Sequence, residues 1–271
     1  MSEADVVLSS AAPLTRPTLA AQLRDCGLQQ GQCILVHSSL RRLGWVAGGP
    51  VTVIEALLDV LGATGTLMMP THTADNTDPA NWCAPPVPPA WWPILREHLP
   101  AYDPARTPTR GMGCIAEAFR CWPGAVRSHH PIGSFAALGP HAQRLTADHD
   151  SLAAMFGEES PIARLYELDG LVLLLGVGHD CNTSLHLAEH RASWPSKCTL
   201  REGTAVQVHG IRQWVSFEML KLETDDFIDL GSAYEAKHGI QPFLVGQAEA
   251  RLLKQRPMVE FAVQWMNQNR H

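Results

Sequence analysis

The stretch Leu171-Val-Leu-Leu-Leu-Gly-Val-Gly-His-Asp-Cys-Asn-Thr-Ser-Leu-His-Leu-Ala-Glu-His190 decides the fold. Its first seven residues are apolar on both faces, a pattern that suits a central strand covered by helices on both sides. Gly176 and Gly178 then turn the chain, and residues 182–192 carry helical spacing, with Asn182 or Thr183 as the candidate cap. Strand passing into helix is the unit of a layered α/β/α architecture with a central, mostly parallel or mixed sheet.

The same alternation extends outward in both directions. Leu19, Leu23 and Cys26 have helical spacing that stops at Gly27, and residues 33–37 form a short apolar run. Pro50 opens a helix with Val53, Ile54, Leu57, Leu58 and Leu61 on one face, and Gly62 and Gly65 end it before a second apolar run at 66–70. Residues 114–122, 140–149 and 161–168 read as helical and 134–138 as a strand. Segment 71–113 is rich in Pro, Trp and Asp, contains Pro85-Pro86 and Trp91-Trp92, and has little periodicity, so it is expected to be an inserted substrate lobe. Downstream, 204–208 and 213–217 flank His209-Gly210 as a hairpin, and 226–237, 248–255 and 258–268 read as helices. Residues 198–271 are therefore expected to form a C-terminal appendage on a single domain spanning 1–271.

With 45% apolar and 18% charged side chains, the 271 residues can bury one large core. The net charge of −6 provides no positive field for phosphate backbones, which disfavours nucleic-acid binding. No apolar run approaches the roughly 20 residues of a membrane helix, and Glu3 and Asp5 stand where a signal peptide would carry basic residues. A cytoplasmic protein that does not engage membranes is expected. The seven cysteines form no C-x-x-C pair, which points to reduced, mostly buried thiols rather than a disulfide scaffold or zinc ribbon.

Gly176-x-Gly178 is followed by Cys181 where the dinucleotide fingerprint needs its third glycine, and neither a phosphate loop nor a nucleophile elbow occurs. What remains at the end of the central strand is His186, in the first helical turn, where the helix dipole disfavours imidazolium and keeps the ring available as a base. Glu189, three residues on, shares its face and can accept a hydrogen bond from the other ring nitrogen. On spacing alone the same residues also fit a plain amphipathic helix. They further spell H-x-x-E-H through His190, the signature of a zinc-dependent hydrolase, with Glu260 as a distant third ligand. A second polar cluster, Val36-His-Ser-Ser-Leu-Arg-Arg-Leu-Gly44, follows a strand and has backbone N–H groups, hydroxyls and arginines suited to the phosphates of a nucleotide-like cofactor, and equally fits an ordinary strand-to-helix loop with solvated arginines. A third, Arg127-Ser-His-His-Pro-Ile-Gly-Ser134, fits a structural turn as well as a ligand contact.

These segments, together with Gly48-Gly-Pro50, Gly65-Thr-Leu-Met-Met-Pro-Thr-His-Thr73 and Phe156-Gly-Glu-Glu-Ser-Pro161, run in an order that resembles the aminoglycoside N3-acetyltransferase family over nearly the whole chain. That family of antibiotic acetyltransferases is distinct from the common N-acetyltransferase superfamily. The resemblance implies direct transfer of acetyl from the cosubstrate acetyl-CoA to the 3-amino group of a 2-deoxystreptamine aminoglycoside, conferring antibiotic resistance, without a metal. His186 matches the family's catalytic histidine and Thr183 the threonine one turn before it, with Glu189 expected to orient the ring. His37, Ser38, Ser39, Leu40, Arg41 and Gly44, with Met112, Gly113 and Ser134, fall where the family holds coenzyme A. The lobe beginning at Thr71, with Asp75 and Asp78, is expected to face the cationic antibiotic.

The chemistry fits these residues, since a protonated amine needs carboxylates to bind it and a base to take its proton. Asp75, Asp78, Glu158, Glu159 and Asp180 supply the first and His186 the second. A covalent route through Cys181 is the alternative to direct transfer, with Asp225 or Asp226 as an alternative partner for His186. Two other readings are the zinc hydrolase and a non-catalytic relative that binds acyl-CoA or aminoglycoside. A monomer or homodimer is expected.

Overall fold

The computed structural model describes residues 3–271. Its centre is a seven-stranded mixed sheet in the order β3-β4-β2-β1-β5-β9-β8, built from β1 (Cys33–Ser38), β2 (Thr66–Pro70), β3 (Val126–Arg127), β4 (Phe135–Leu138), β5 (Leu171–Leu175), β8 (Phe243–Val245) and β9 (Ala248–Lys254). The hairpin strands β6 (Thr199–Val208) and β7 (Ile211–Leu220) form a separate two-stranded sheet. β1 runs parallel to both β2 and β5, with His37 opposite Leu174 and Ser38 opposite Leu175. β4 and β9 flank this parallel centre in antiparallel fashion.

Strand alternation sorts the core into two layers. Ile34, Val36, Leu67, Met69, Leu173 and Leu175 pack against the helices Arg16–Asp25, Gly49–Leu61 and Gly113–Arg120. Cys33, Leu35, Met68, Val172 and Leu174 pack on the other face, with Ile162, Leu165, Leu185, Leu187, Met258 and Ala262 from the helices Pro161–Glu167, Leu185–Arg191 and Gln255–Asn269. Each such fully buried aliphatic side chain contributes roughly 1.5–3 kcal/mol. His37 continues the parity of Cys33 and Leu35, which places it on the face of the Leu185–Arg191 helix.

Several expectations are corrected. Residues 248–254 are not helical: Ala248, Ala250 and Leu253 are buried along β9, which pairs with the open edge of β5. That tertiary partner overrides a weak local helical preference. The chain after residue 198 is therefore only partly an appendage, because β8 and β9 complete the main sheet and the final helix packs into the same layer as Leu185 and Leu187. The helix expected over 182–192 begins at Leu185, after the tight turn His179–Cys181, and Ser184 precedes it without a side-chain cap. Asn182 Oδ1 accepts a bond from Ser184 N at 3.3 Å instead. The helix expected over 140–149 is confined to Ala142–Thr146. Of the seven free cysteines only Cys33 is buried, whereas Cys83, Cys114, Cys121, Cys181 and Cys198 are exposed.

The hairpin turns at His209-Gly210 with φ of 50° and 77°, the doubly left-handed geometry that suits the twist of a two-residue hairpin. The inserted lobe docks on this hairpin. Asn81 Nδ2 donates to Arg201 O at 3.0 Å, Tyr102 N to Ala205 O at 2.9 Å, and Arg212 Nε to Leu99 O at 2.8 Å. Among the described residues no helix is long and apolar enough to cross a membrane.

Candidate active site

The carboxyl ends of β1, β2 and β5 open into one cavity of about 990 Å³. In an open α/β sheet this is the edge where loops from neighbouring parallel strands converge on a ligand. His37, Ser38, Ser39, Leu40, Arg41 and Gly44 line it from the end of β1, His72 from beyond β2, and Asp180, Cys181, Asn182 and Thr183 from beyond β5. Met112 and Gly113 close it from the lobe side, and His186 stands at its wall. Gly176 has φ of 73°, and a Cβ there would lie 2.8 Å from Arg42 Cβ, so only glycine lets the β5 loop pass this close to the β1 loop.

His186 is clamped on three sides. Its Nδ1 lies 2.5 Å from Glu189 Oε2, its ring stacks on Phe156 at 5.0 Å and 10°, and Phe227 tilts against it at 5.1 Å. A carboxylate only accepts, so Nδ1 carries the proton and Nε2 keeps its lone pair. Glu189 is fully buried and its other oxygen accepts from Arg270 Nη1 at 2.7 Å and Glu223 N at 2.9 Å. Asp226 does not reach the ring; it holds Arg270, at 2.7 Å through each oxygen.

Two further imidazoles line the cavity in neutral form. Burial, then the neighbouring His186, pushes His37 down to about 3, and burial with the surrounding histidines lowers His72 well below the usual range. The Nε2 atoms of both are buried without a hydrogen-bond partner among the described residues. Orphaned buried polar atoms of this kind cost about 1–3 kcal/mol each and fit a site that a polar ligand completes. A cavity of this size with hydroxyls, Arg41 and such atoms suits a coenzyme A moiety. Burial and Asp180 raise the Cys181 thiol, which makes it a poor nucleophile near neutral pH.

Other expected site residues lie elsewhere. Ser134 is fully buried and does not line the cavity: its Oγ donates to Thr71 O at 2.8 Å and accepts from Arg127 Nε at 3.1 Å. Thr71 belongs to the same buried network, its Oγ1 accepting from Arg127 Nε at 3.1 Å. The acidic set does not converge. Asp78 accepts from Arg96 at 2.8 Å and caps Ala80, Glu158 holds Arg191 at 2.7 Å, and Glu159 is exposed outside the cavity. Asp75 faces Arg110 at 3.3 Å and lines a separate cavity of about 600 Å³, where Arg106 and Arg212 offset Asp75 and Asp103. Only Asp180 of that set lines the main cavity.

The zinc reading loses its ligands. Glu260 accepts from Tyr166 at 2.8 Å, both Glu189 oxygens are engaged, and among the described residues no three His, Cys, Asp or Glu side chains converge as a metal ion requires. Phe156, Phe227, His72 and Arg270 were not singled out from sequence. Phe156 and His72 sit in motifs that carry the resemblance, but Phe227 and Arg270 reach the site only through the tertiary fold.

Residues 35–267 match the family model described as aminoglycoside 3-N-acetyltransferase. The "SPbeta prophage-derived aminoglycoside N(3')-acetyltransferase-like protein YokD" of Bacillus subtilis is 41% identical over 97% of this chain and 96% of its own. Its crystal structure superposes with a TM-score of 0.95 over 98% of both chains. The structure of AAC-IIIb in binary complex with CoASH is 34% identical, with a TM-score of 0.85 over 95% of this chain and 97% of that one. AAC-VIa bound to sisomicin is 31% identical, with a TM-score of 0.85 over 96% and 99%. A match of this extent, on a chain whose parallel-strand loops meet at one histidine–carboxylate pair, places the protein in the aminoglycoside 3-N-acetyltransferase family of acyltransferases.

Proposed function

We propose that the chain transfers acetyl directly from acetyl-CoA to the 3-amino group of a 2-deoxystreptamine aminoglycoside, with His186 as general base, and that this confers antibiotic resistance. The observation that carries the reading is the buried Glu189 on Nδ1 of His186, which leaves Nε2 as a bare acceptor at the cavity wall. Acetyl-CoA supplies the activated acyl group. The loop from His37 to Gly44, with Met112 and Gly113, holds the coenzyme, and relatives complexed with CoASH and with sisomicin support the pairing of these two substrates in one site.

The chain's own part in the reaction is proton transfer and orientation. Asp180 favours the cationic form of the amine as it enters, one ammonium proton passes to water to free the nitrogen lone pair, and His186 Nε2 takes the second proton as the nitrogen bonds to the acyl carbon. Glu189 stabilises the imidazolium that results, and Phe156 and Phe227 prevent the ring from turning. Thr183, in the turn preceding the helix and lining the cavity, meets the negative charge developing on the acyl oxygen. The protonated ring then returns its proton to the departing thiol. The raised Cys181 thiol favours this direct route over an acyl-cysteine. Purified protein mixed with acetyl-CoA and a panel of aminoglycosides is expected to release free thiol only when the amine is present. Thiol release without amine, or none with any aminoglycoside, would overturn the reading.

A further inference from the structure

The carboxylate behind His186 is cut off from water. Glu189 is 0% exposed, and a carboxylate in that environment stays charged only where donors and a counter-charge replace its hydration. Oε2 accepts from His186 and Oε1 from Glu223 N and Arg270 Nη1. Arg270 is the penultimate residue of the chain, and its guanidinium is spent entirely inward. Nε and Nη2 donate to the two Asp226 oxygens, Nη2 also donates to Glu223 O at 2.9 Å, and the group lies 4.8 Å from the Trp194 ring and 5.9 Å from the Phe227 ring. The same Phe227 flanks His186. The other charged or titratable groups around the pair are differently placed. Lys197 Nζ donates to the carbonyls of Glu189, His190 and Ala192, Glu158 is paired with Arg191, and His37 and His72 face His186 as neutral rings. Arg270 is thus the one cation in side-chain contact with the Glu189 carboxylate among the described residues.

We infer that Arg270 is a positioning residue for acetyl transfer, holding Glu189 ionised so that the imidazole proton stays on Nδ1 and Nε2 stays bare. This rests on the reading of His186 as base. Without the cation, the His186–Glu189 pair retains one more proton to higher pH, and the pair titrates as a unit. If that proton is on the ring, His186 is imidazolium and accepts nothing. If it is on the carboxyl, its O–H donates to Nδ1, and the ring's own proton moves to Nε2, facing the cavity. Neither form can take a proton from the amine, so activity requires the pair fully deprotonated. Arg270, 81 positions from Glu189 in sequence, is by this account part of the active-site machinery.

The test compares the pH dependence of kcat and the thermal midpoint for full-length wild type, R270Q, R270K, E189Q, E189Q/R270Q and H186A. R270Q keeps a donor but loses the charge. Its acid limb is expected to move up by about one pH unit, so that kcat at a given pH on that limb is down about tenfold. R270K restores the limb because it restores the charge. E189Q moves the limb down instead, since a lost carboxylate lowers the proton affinity of the ring. E189Q/R270Q is expected to keep the E189Q limb, because no buried anion then needs a cation. An R270Q limb that stays in place while only the thermal midpoint falls would mean a structural role and overturn the inference. So would a double variant whose limb departs from that of E189Q. If R270Q does not fold, E189Q/R270Q is expected to fold again, and failure of that rescue also overturns it. Turnover retained by H186A would instead bring down the base assignment itself, whereas an inactive H186A beside an unmoved R270Q limb would remove Arg270 alone.

Discussion

His186 and the pair His130 and His149 belong to one continuous aromatic arrangement, yet they are held in opposite ways. His186 stacks on Phe156, Phe156 meets Phe135 edge-on at 6.1 Å, Phe135 lies 6.4 Å from His149, and His149 lies 4.9 Å from His130. At one end a carboxylate grips Nδ1 and the other nitrogen lines a cavity. At the other end the hydrogen-bond partners are all neutral groups. His149 donates from Nε2 to Met155 O at 2.8 Å and accepts at Nδ1 from Ser128 at 3.0 Å, and His130 Nδ1 accepts from Gly133 N at 3.0 Å. Burial drives His130 down to about 3 and His149 to about 4. Residue type and packing are shared, so a charged partner and an open nitrogen are what separate a proton acceptor from a strut.

The widest separation between the two ends is expected in turnover. H186A should lower kcat by 10²-fold or more, because removing a general base costs about 10²–10⁴-fold, while acetyl-CoA still binds. H149A is expected to do the reverse, lowering the midpoint and leaving the kcat of the folded protein intact. Steady-state kinetics beside a binding isotherm and a melting curve reads both. If the two variants behaved alike, the distinction would collapse.

The next effect is on acid stability. A histidine kept neutral in the fold binds a proton in the unfolded chain below about pH 6.5, so the unfolded state takes up more protons there. Stability is therefore complete above about pH 6.5 and falls as pH drops toward the folded values near 3 and 4 for His130 and His149. The loss is on the order of 2 kcal/mol per buried histidine by pH 5. His37 adds to the same slope. Denaturant unfolding at a series of pH values is expected to show this slope, and H149N should flatten it. A wild-type stability independent of pH between 5 and 7 would contradict the neutral cluster.

The smallest effect is expected at Ser128, whose hydroxyl joins His149 Nδ1 to Phe135 N, the latter at 3.0 Å. S128A leaves a buried acceptor and a buried donor unpaired, costing about 1–3 kcal/mol of stability with no change in rate. A drop in kcat that outlasts correction for folded fraction would tie this cluster to the chemistry after all.

How far the sequence could be read follows the same division. Strand β5, the turn after it and the pair His186 and Glu189 are local features, with spacing that survives folding almost unchanged. The cluster from Arg127 to Ser134 was ambiguous because its role depends on Thr71 and His149, 56 positions before Arg127 and 21 after Ser128. Arg270 and Phe227 carried no motif, since one helix end and one helix start meet Glu189 and His186 only in three dimensions. Strand β9 was misread for a related reason: a seven-residue segment with two alanines and a Leu-Leu pair has helical character until the edge of β5 supplies hydrogen bonds. The acidic residues of the lobe were visible, but the arginines that neutralise them, Arg96 and Arg110, were not identifiable as their partners without the fold.

The most direct single measurement is the pH dependence of kcat for E189Q against wild type. If the buried carboxylate orients and supports His186 as the base, E189Q turns over at least about tenfold more slowly, and its acid limb lies at lower pH. An E189Q enzyme that keeps both the rate and the acid limb of the wild type would contradict the account.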